Sequence, residues 1–407
     1  MNSIYLKRGK EESLLRFHPW IFSGAIQTAD KGIGDGDTVR VMTADGQFIA
    51  IGHYQPGSIA VRVLTFDNQP INDAFWHERL EQALTARRAI GLVDNPLTTA
   101  YRLVHGEGDM LPGLIVDIYG QTAVMQAHSV GMHRCRHQIA SALTDVMQGR
   151  ISSIYYKSET TLPFIEPENG FIVGGSNENT ALENGLRFYV DWQSGQKTGF
   201  FVDQRDNRSL LEHYARGRRV LNMFCYTGGF SFYAMRGGAT AVHSVDSSAK
   251  AIELTRRNVE LNFPDDKRHE AFCEDAFKFL ETRIKGPHEP QHSLIFSDDQ
   301  PAEPYDLIIL DPPAFAKHRA ALHNALKGYT RLNAKAFEKI KAGGILFTFS
   351  CSQVVTKDNF RNAVFTAAAQ ARRRVRILHQ LHQPADHPIN IFHPEGEYLK
   401  GLVLYVE

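Results

Sequence analysis

Val220-Leu221-Asn222-Met223-Phe224-Cys225-Tyr226-Thr227-Gly228-Gly229-Phe230 is the stretch on which the fold turns: an apolar strand runs into a glycine-containing turn, and a helix follows. In a doubly wound sheet, ligands sit outside the carboxyl ends of the strands, and glycine lets backbone approach them closely. The next apparent strand, Val242-His243-Ser244-Val245-Asp246, ends in a carboxylate that can accept both hydroxyls of a ribose. Ser247 or Ser248 could cap the helix beyond it, freeing Asp246 for a ligand. The spacing lacks the G-x-G-x-x-G of dinucleotide sites, which favours a nucleoside without a pyrophosphate.

Working outward, strand patterns fall at 219–225, 241–246, 270–274, 306–311, 344–349 and 401–406, with helices between most of them. That alternation predicts a mostly parallel, doubly wound α/β sheet. Cys273-Glu274-Asp275-Ala276-Phe277 places an acid just past the third strand, suited to an adenine amino group. Asp306 to Asp311 then runs into Pro312-Pro313, whose fixed φ gives a rigid loop of carbonyl acceptors for a planar base, with Phe315 or a neighbour packing nearby. Glycine turn, Asp246, Asp275 and Asp311, in that order, specify a class I, Rossmann-like S-adenosylmethionine methyltransferase domain.

The N-terminal half reads differently. Residues 1–66 carry short strands cut by turns such as Asp35-Gly36-Asp37 and Asp45-Gly46, a β-rich module. A helix is expected over 74–90 with Asn72 or Asp73 as its cap. Strands at 102–105, 113–117, 122–126 and 153–156 and a helix near 132–147 then suggest a second unit, closed by a junction at 174–180. From 181 a hairpin is expected, Leu186–Val190 returning through Gly199–Asp203, followed by the catalytic sheet; Gly286–Pro304 reads as a surface insertion. Domain boundaries are therefore placed at 1–66, 67–180 and 181–407.

At 407 residues with 43% hydrophobic and 22% charged residues, the composition is that of a soluble globular protein of two to three domains. No segment approaches the ~20 apolar residues that span a bilayer, and the charged N-terminus argues against export. Cys135, Cys225, Cys273 and Cys351 show neither CxxC nor zinc spacing, so reduced thiols, no metal and a cytoplasmic location are expected. Forty-five basic residues balance forty-five acidic ones, unlike a strongly basic nucleic-acid binder. Local patches could still form from Arg372, Arg373, Arg374 and Arg376, or from Lys317, Arg319, Lys327, Arg331, Lys335, Lys339 and Lys341 around a helix.

The motifs Lys197 to Arg205, Asn222 to Phe230, Asp311-Pro312-Pro313-Ala314-Phe315, Phe349-Ser350-Cys351-Ser352, Pro394 to Gly401 and Gly106 to Leu114 resemble the RlmI family of ribosomal RNA methyltransferases over nearly the whole chain. The resemblance implies an N-terminal PUA domain that binds RNA, a central α/β domain, and a catalytic domain with a β-hairpin that methylates carbon 5 of a cytosine in 23S ribosomal RNA. S-adenosylmethionine is then expected at Phe201, Asp203, Gln204, Arg205, Asn222, Phe224, Tyr226, Thr227, Gly228, Gly229, Asp246, Ser247, Asp275, Ala276, Asp311 and Pro312. RNA is expected at Lys7, Arg8, Lys10, Arg16, Lys317 and Arg331, and a homodimer is compatible with the sequence. Two departures stand out: the insertion before the Asp-Pro-Pro strand is long, and Ala314 stands where some relatives have Lys.

That chemistry gives Cys351 a task. Carbon 5 of cytosine is a poor nucleophile until a thiolate adds to carbon 6. Asp311 would bond the N3 and amino edge as the adduct forms. Cys225 and Cys273 are expected to pack. Two other readings remain at this point: an N-methyltransferase acting on an exocyclic amine, for which Asp-Pro-Pro and an aromatic suffice without a thiol, and a non-catalytic RNA-binding assembly factor.

Overall fold

The structure, a computed structural model, describes residues 1–162, 169–176, 179–282 and 304–407. The expected insertion at 286–304 lies outside the described residues except for Pro304. Two compact units form, Met1–Asp203 with Pro384–Gly396, and Gln204–Gln383 with Glu397–Glu407.

Among the described residues the first unit holds three sheets. A six-stranded sheet within residues 3–65 buries Ile4, Leu6, Ile21, Val39, Val41, Val61 and Val63 around one core. A five-stranded sheet follows, its strands Ala100–His105, Leu114–Tyr119 and Thr122–Ala127 antiparallel and Ser153–Tyr156 joined parallel to the last of them. The helices Asp73–Ala89 and Arg136–Met147 supply Trp76, Leu80, Leu84, Ile139 and Leu143 to its core. Asn72 caps the first helix by accepting from Phe75 N at 3.1 Å.

The hairpin is not the one expected. Thr180–Glu183 pairs antiparallel with Leu186–Tyr189, while Val202–Gln204 is a 3₁₀ turn. The reason is Asn184-Gly185 between the two strands: both take positive φ, 49° and 82°, which a two-residue hairpin turn requires. Its bonds also decide its affiliation. Thr99 N donates to Leu182 O at 2.8 Å and Gly185 N to Leu97 O at 2.7 Å, so the hairpin belongs to the first unit and not to the catalytic one.

Inside that unit the side chain of Arg87, 1% exposed, donates to both oxygens of Asp109, to Arg102 O and to Asp386 O. Arg102 forms a two-bond pair with Asp117, and its own N–H donates to the Asp386 carboxylate at 2.9 Å. Buried charges persist when paired and fully bonded. The segment Pro384–Gly396 is thus bonded into a unit whose other residues end at 203.

The second unit is the doubly wound sheet. Its strands are β1 Arg219–Met223, β2 Ala241–Asp246, β3 His269–Cys273, β4 Tyr305–Leu310, β5 Ile340–Ser350, β6 Val375–Leu381 and β7 Lys400–Val406. They lie in the order β3-β2-β1-β4-β5-β7-β6, parallel from β3 through β5, with β7 antiparallel to both neighbours. The helices are α1 Arg205–Tyr214, α2 Gly229–Arg236, α3 Ala249–Asn262, α4 Ala276–Thr282, α5 Leu322–Lys339 and α6 Lys357–Gln370. Strand order reverses between β1 and β4, and such a switch point opens a crevice at the strands' carboxyl ends. The strands themselves are buried on both faces, as Leu307, Ile308, Ile309 and Leu310 show, because helices cover both sides of a parallel sheet.

Strand β6 was hidden in the sequence by the arginine run that leads into it, Arg372 to Arg374, and by Arg376 within it. Arg373 is not part of a basic patch: its guanidinium donates to the carbonyls of Glu407, Phe337 and Ile340, and Arg376 pairs with Glu407. On α5 the expected solvated row is also broken. Lys339 is buried, Lys335 pairs with Glu338 at 3.1 Å, and Lys341, just past the helix, pairs with Asp306 at 3.1 Å.

Candidate active site

The β1–α2 turn is built under conformational constraint. Phe224 and Tyr226 take φ of 57° and 48°, and Gly228 takes 85°. Non-glycine residues held in the left-handed region cost about 1–3 kcal/mol each and persist only where surroundings enforce them. Here α3 does so: Thr255 Oγ1 donates to Tyr226 O at 2.9 Å, and Asn258 Nδ2 to Thr227 O at 3.3 Å. A Cβ on Gly228 would lie 2.5 Å from the Phe232 ring and 2.8 Å from Thr255. Glycine is therefore required there by close packing against the protein as well as by its φ.

Asp246, at the end of β2, is fixed by two backbone amides. Tyr226 N donates to one oxygen at 3.0 Å and Ser248 N to the other at 2.9 Å. Each oxygen keeps a lone pair for a further donor. The helix cap falls to Ser248, which accepts from Ala251 N, while Ser247 is exposed. Behind the turn, Asn222 Nδ2 donates to Ser231 Oγ at 2.9 Å, and the chain of contacts continues through Ser244 to His269. Burial lowers the His269 imidazole to about 4, which keeps it neutral as a member of that chain. Asn222 Oδ1 is buried without a hydrogen-bond partner in the structure, an acceptor that a ligand donor would satisfy.

Asp275 is exposed, and one of its oxygens accepts from Lys278 N at 3.0 Å, capping α4 just before buried Ala276. Asp311 follows β4; Gln204 Nε2 donates to it at 3.1 Å, and Gln204 Oε1 accepts from Asn207 at 2.6 Å. The Gln204 carboxamide is thereby oriented, and the carboxylate with it. Pro312 is buried, while the Phe315 ring stacks 4.6 Å from Tyr329 and against Gly328. Phe315 is therefore engaged with α5.

Cys351 lies one residue past β5, next to β4 in the parallel pair that sets Leu310 opposite Thr348. It is half-buried. Ser350 and Ser352 on either side both bond the Tyr329 hydroxyl, at 2.9 and 3.4 Å, which pins the turn to α5. Cys225 is buried and its thiol is pushed far up by burial and then by the negative charge of Asp246. Cys273 does not pack as expected: it is exposed. One functional candidate went unremarked in the sequence, buried Lys400 at the start of β7, whose Nζ donates to Ser352 O at 2.6 Å.

Of the remaining candidates, Phe201 and Asp203 belong to the first unit, where Lys197 lies 4.5 Å from the Phe201 ring and 3.7 Å from Asp203. Gln204 and Arg205 begin the second unit, and Thr227 and Gly229 are buried in its turn. Lys7, Arg8, Lys10, Arg16, Lys317 and Arg331 are all exposed. Arg8 pairs with Asp45, Lys7 donates to Gly24 O, and Arg331 lies over the Phe277 ring.

A strained glycine turn, a ribose-competent carboxylate on the next strand and an acid before a Pro-Pro loop define a class of nucleoside-cofactor methyltransferase. Comparison with known proteins agrees. Residues 168–391 match the model of the S-adenosylmethionine-dependent methyltransferase family, and residues 4–66 that of a PUA-like domain. The chain is 41% identical over 411 residues to ribosomal RNA large subunit methyltransferase I of Aeromonas hydrophila and 40% identical to that of Tolumonas auensis, covering 99% of this chain and 98% of each relative. It belongs to that family. In fold it matches a chain described as a SAM-dependent methyltransferase from Streptococcus mutans, and a methyltransferase complexed with SAH, each with TM-score 0.83 at 23% identity over the full length of both chains. No helix among the described residues is long and apolar enough to cross a membrane.

The site residues fit the cofactor S-adenosylmethionine on the structure's own terms. Asp246 retains acceptor capacity on both oxygens after its two amide bonds, and Asn222 Oδ1 is an unsatisfied buried acceptor beside the turn. When bound, the cofactor supplies an electrophilic methyl on a sulfonium.

Proposed function

We propose that this chain methylates carbon 5 of a cytosine in large-subunit (23S) ribosomal RNA, with Cys351 as covalent nucleophile and Asp246, Asp275 and the Asn222–Gly229 turn holding S-adenosylmethionine. The ribosomal substrate is supported by the named relatives. The observation that carries the carbon-5 reading is Cys351 itself, a half-buried thiol one residue past β5, beside the strand that delivers Asp311. An N-methyltransferase has no use for a thiol there, and the aromatic it would want, Phe315, is packed on Tyr329.

In this mechanism the Cys351 thiolate forms a bond to carbon 6 as the carbon 5–carbon 6 π bond opens. Asp311, oriented by Gln204, hydrogen-bonds the N3 and amino edge and stabilises protonation of N3 as the adduct forms, the proton leaving N3 again when the adduct collapses. Carbon 5 takes the methyl group, loses its proton to a base, and re-forming the double bond expels the thiolate. The base must leave its stack to reach this site, at a cost of a few kcal/mol. Exposed Lys7, Arg8, Lys10 and Arg16 on the N-terminal module would contact phosphates, making RNA affinity salt-dependent.

Ribosomal RNA carrying 5-fluorocytosine tests the reading. Fluorine cannot leave as a proton, so the adduct should accumulate and map to Cys351 by mass spectrometry. A methylated exocyclic amine, with no adduct formed, would replace this reading by the N-methyltransferase one.

A further inference from the structure

Lys400 is 5% exposed, a position where an ammonium is costly unless a negative partner compensates. Its position singles out Cys351. In the antiparallel β5–β7 pair Lys400 stands opposite Ser350, the residue before the thiol, and its Nζ donates to the carbonyl of Ser352, the residue after it. Besides Cys351, the charges acting on it are those of Glu397 from its own segment and Lys357 from the start of α6, and the Tyr329 hydroxyl of α5 bonds Ser352, whose carbonyl Lys400 holds. Glu397 is engaged by Lys357, and Tyr329 keeps its proton because burial raises it, against the opposing bonds with Ser350 and Ser352. Cys351 is thus the thiol beside Lys400, flanked on both sides by residues that Lys400 pairs with or bonds.

We infer that Lys400 is a positioning residue for the reaction, accepting the Cys351 proton and, as the resulting ammonium, holding the sulfur as a thiolate beside it. The inference rests on Cys351 being the nucleophile, as proposed above. The step balances without any further reactant: the S–H bond breaks, the amine lone pair takes the proton, and a neutral pair becomes an ion pair. Burial lowers Lys400 to about 8, and the charge of Cys351 acts in the opposite sense. The amine form of Lys400 is therefore accessible near neutral pH. When the thiolate is expelled at the end of turnover, it returns to the same cation.

The test is the pH dependence of iodoacetamide alkylation of the full chain, without RNA or cofactor, with each cysteine followed separately by mass spectrometry. Exposed Cys273 is the internal reference. Cys351 should react with a midpoint at least one pH unit below that of Cys273. In Lys400→Gln the Cys351 midpoint should rise by a unit or more, and the alkaline shift should recur in the pH profile of kcat/KM for methylation. Lys400→Arg, which keeps a cation, should retain a low midpoint. An unmoved Cys351 midpoint in folded Lys400→Gln overturns the inference, and so does a wild-type Cys351 midpoint at or above that of Cys273, a result that needs no variant to fold. Failure of the nucleophile reading looks different: Cys351→Ala would still methylate carbon 5, whatever the alkylation profiles show.

Discussion

Cys225 and Cys351 each stand just past the carboxyl end of a strand in one sheet, β1 and β5, and their surroundings fit them for opposite tasks. Around Cys225, burial and then the Asp246 carboxylate keep the proton on sulfur, outweighing the weak contact to Thr255, which acts the other way. Around Cys351 there is partial exposure and a buried lysine. A strand end gives a thiol reach, but charge and access decide whether it reacts.

The largest effect that would break this contrast belongs to Cys351→Ala. Methyl transfer to carbon 5 should fall by about 10⁴-fold or more, the scale on which enzymes lose rate when a nucleophile is deleted, with cofactor affinity retained. Quantifying 5-methylcytosine in RNA treated with the variant checks it; substantial product would end the division of labour between the two thiols. Next comes Gly228→Ala, which asks how tightly the β1 turn that holds Cys225 is packed. The added Cβ meets Phe232 at 2.5 Å at a φ of 85°, so stability should drop by about 2–4 kcal/mol, read from the urea midpoint.

Asp246→Ala sharpens the same side of the contrast. Removing both proposed ribose acceptors should weaken S-adenosylmethionine by about 1.5–3 kcal/mol in calorimetry, and unchanged affinity would move the ribose elsewhere. Cys225→Ala should do least. A loss of about 1 kcal/mol of stability, with methylation within a few-fold of wild type, is expected; a loss comparable to that of Cys351→Ala would make Cys225 the reactive thiol after all.

What the sequence made legible were features carried by local pattern. The turn from Asn222 to Gly229, Asp246 at a strand end and Asn72 as a cap all follow from residue type and spacing within one element. What it hid were partners supplied from afar. Arg373 reads as surface charge until the carbonyls of Phe337, Ile340 and Glu407 are seen to receive it. Lys400 reads as one residue of a terminal motif until antiparallel pairing sets it opposite Ser350. The displaced hairpin is a different case, because Asn184-Gly185 is a strong turn signal, and weighing it would have put the return strand before residue 186 instead of after 199.

The strap from Pro384 to Gly396 sets an order of events during synthesis. Asp386 supplies the carboxylate and carbonyl that complete the buried Arg87 and Arg102 network of the first unit, yet nearly two hundred residues separate it from the end of that unit's main body at Asp203. Arg87 and Arg102 precede Asp386 by 299 and 284 residues, so at about 5–20 residues per second roughly 15–60 s pass between the appearance of the arginines and the arrival of their last partner. During that interval the N-terminal half emerges first but must wait, incompletely bonded, while the methyltransferase sheet is made. Proteolysis of stalled nascent chains should therefore find the first unit protected only once residue 396 has cleared the exit tunnel.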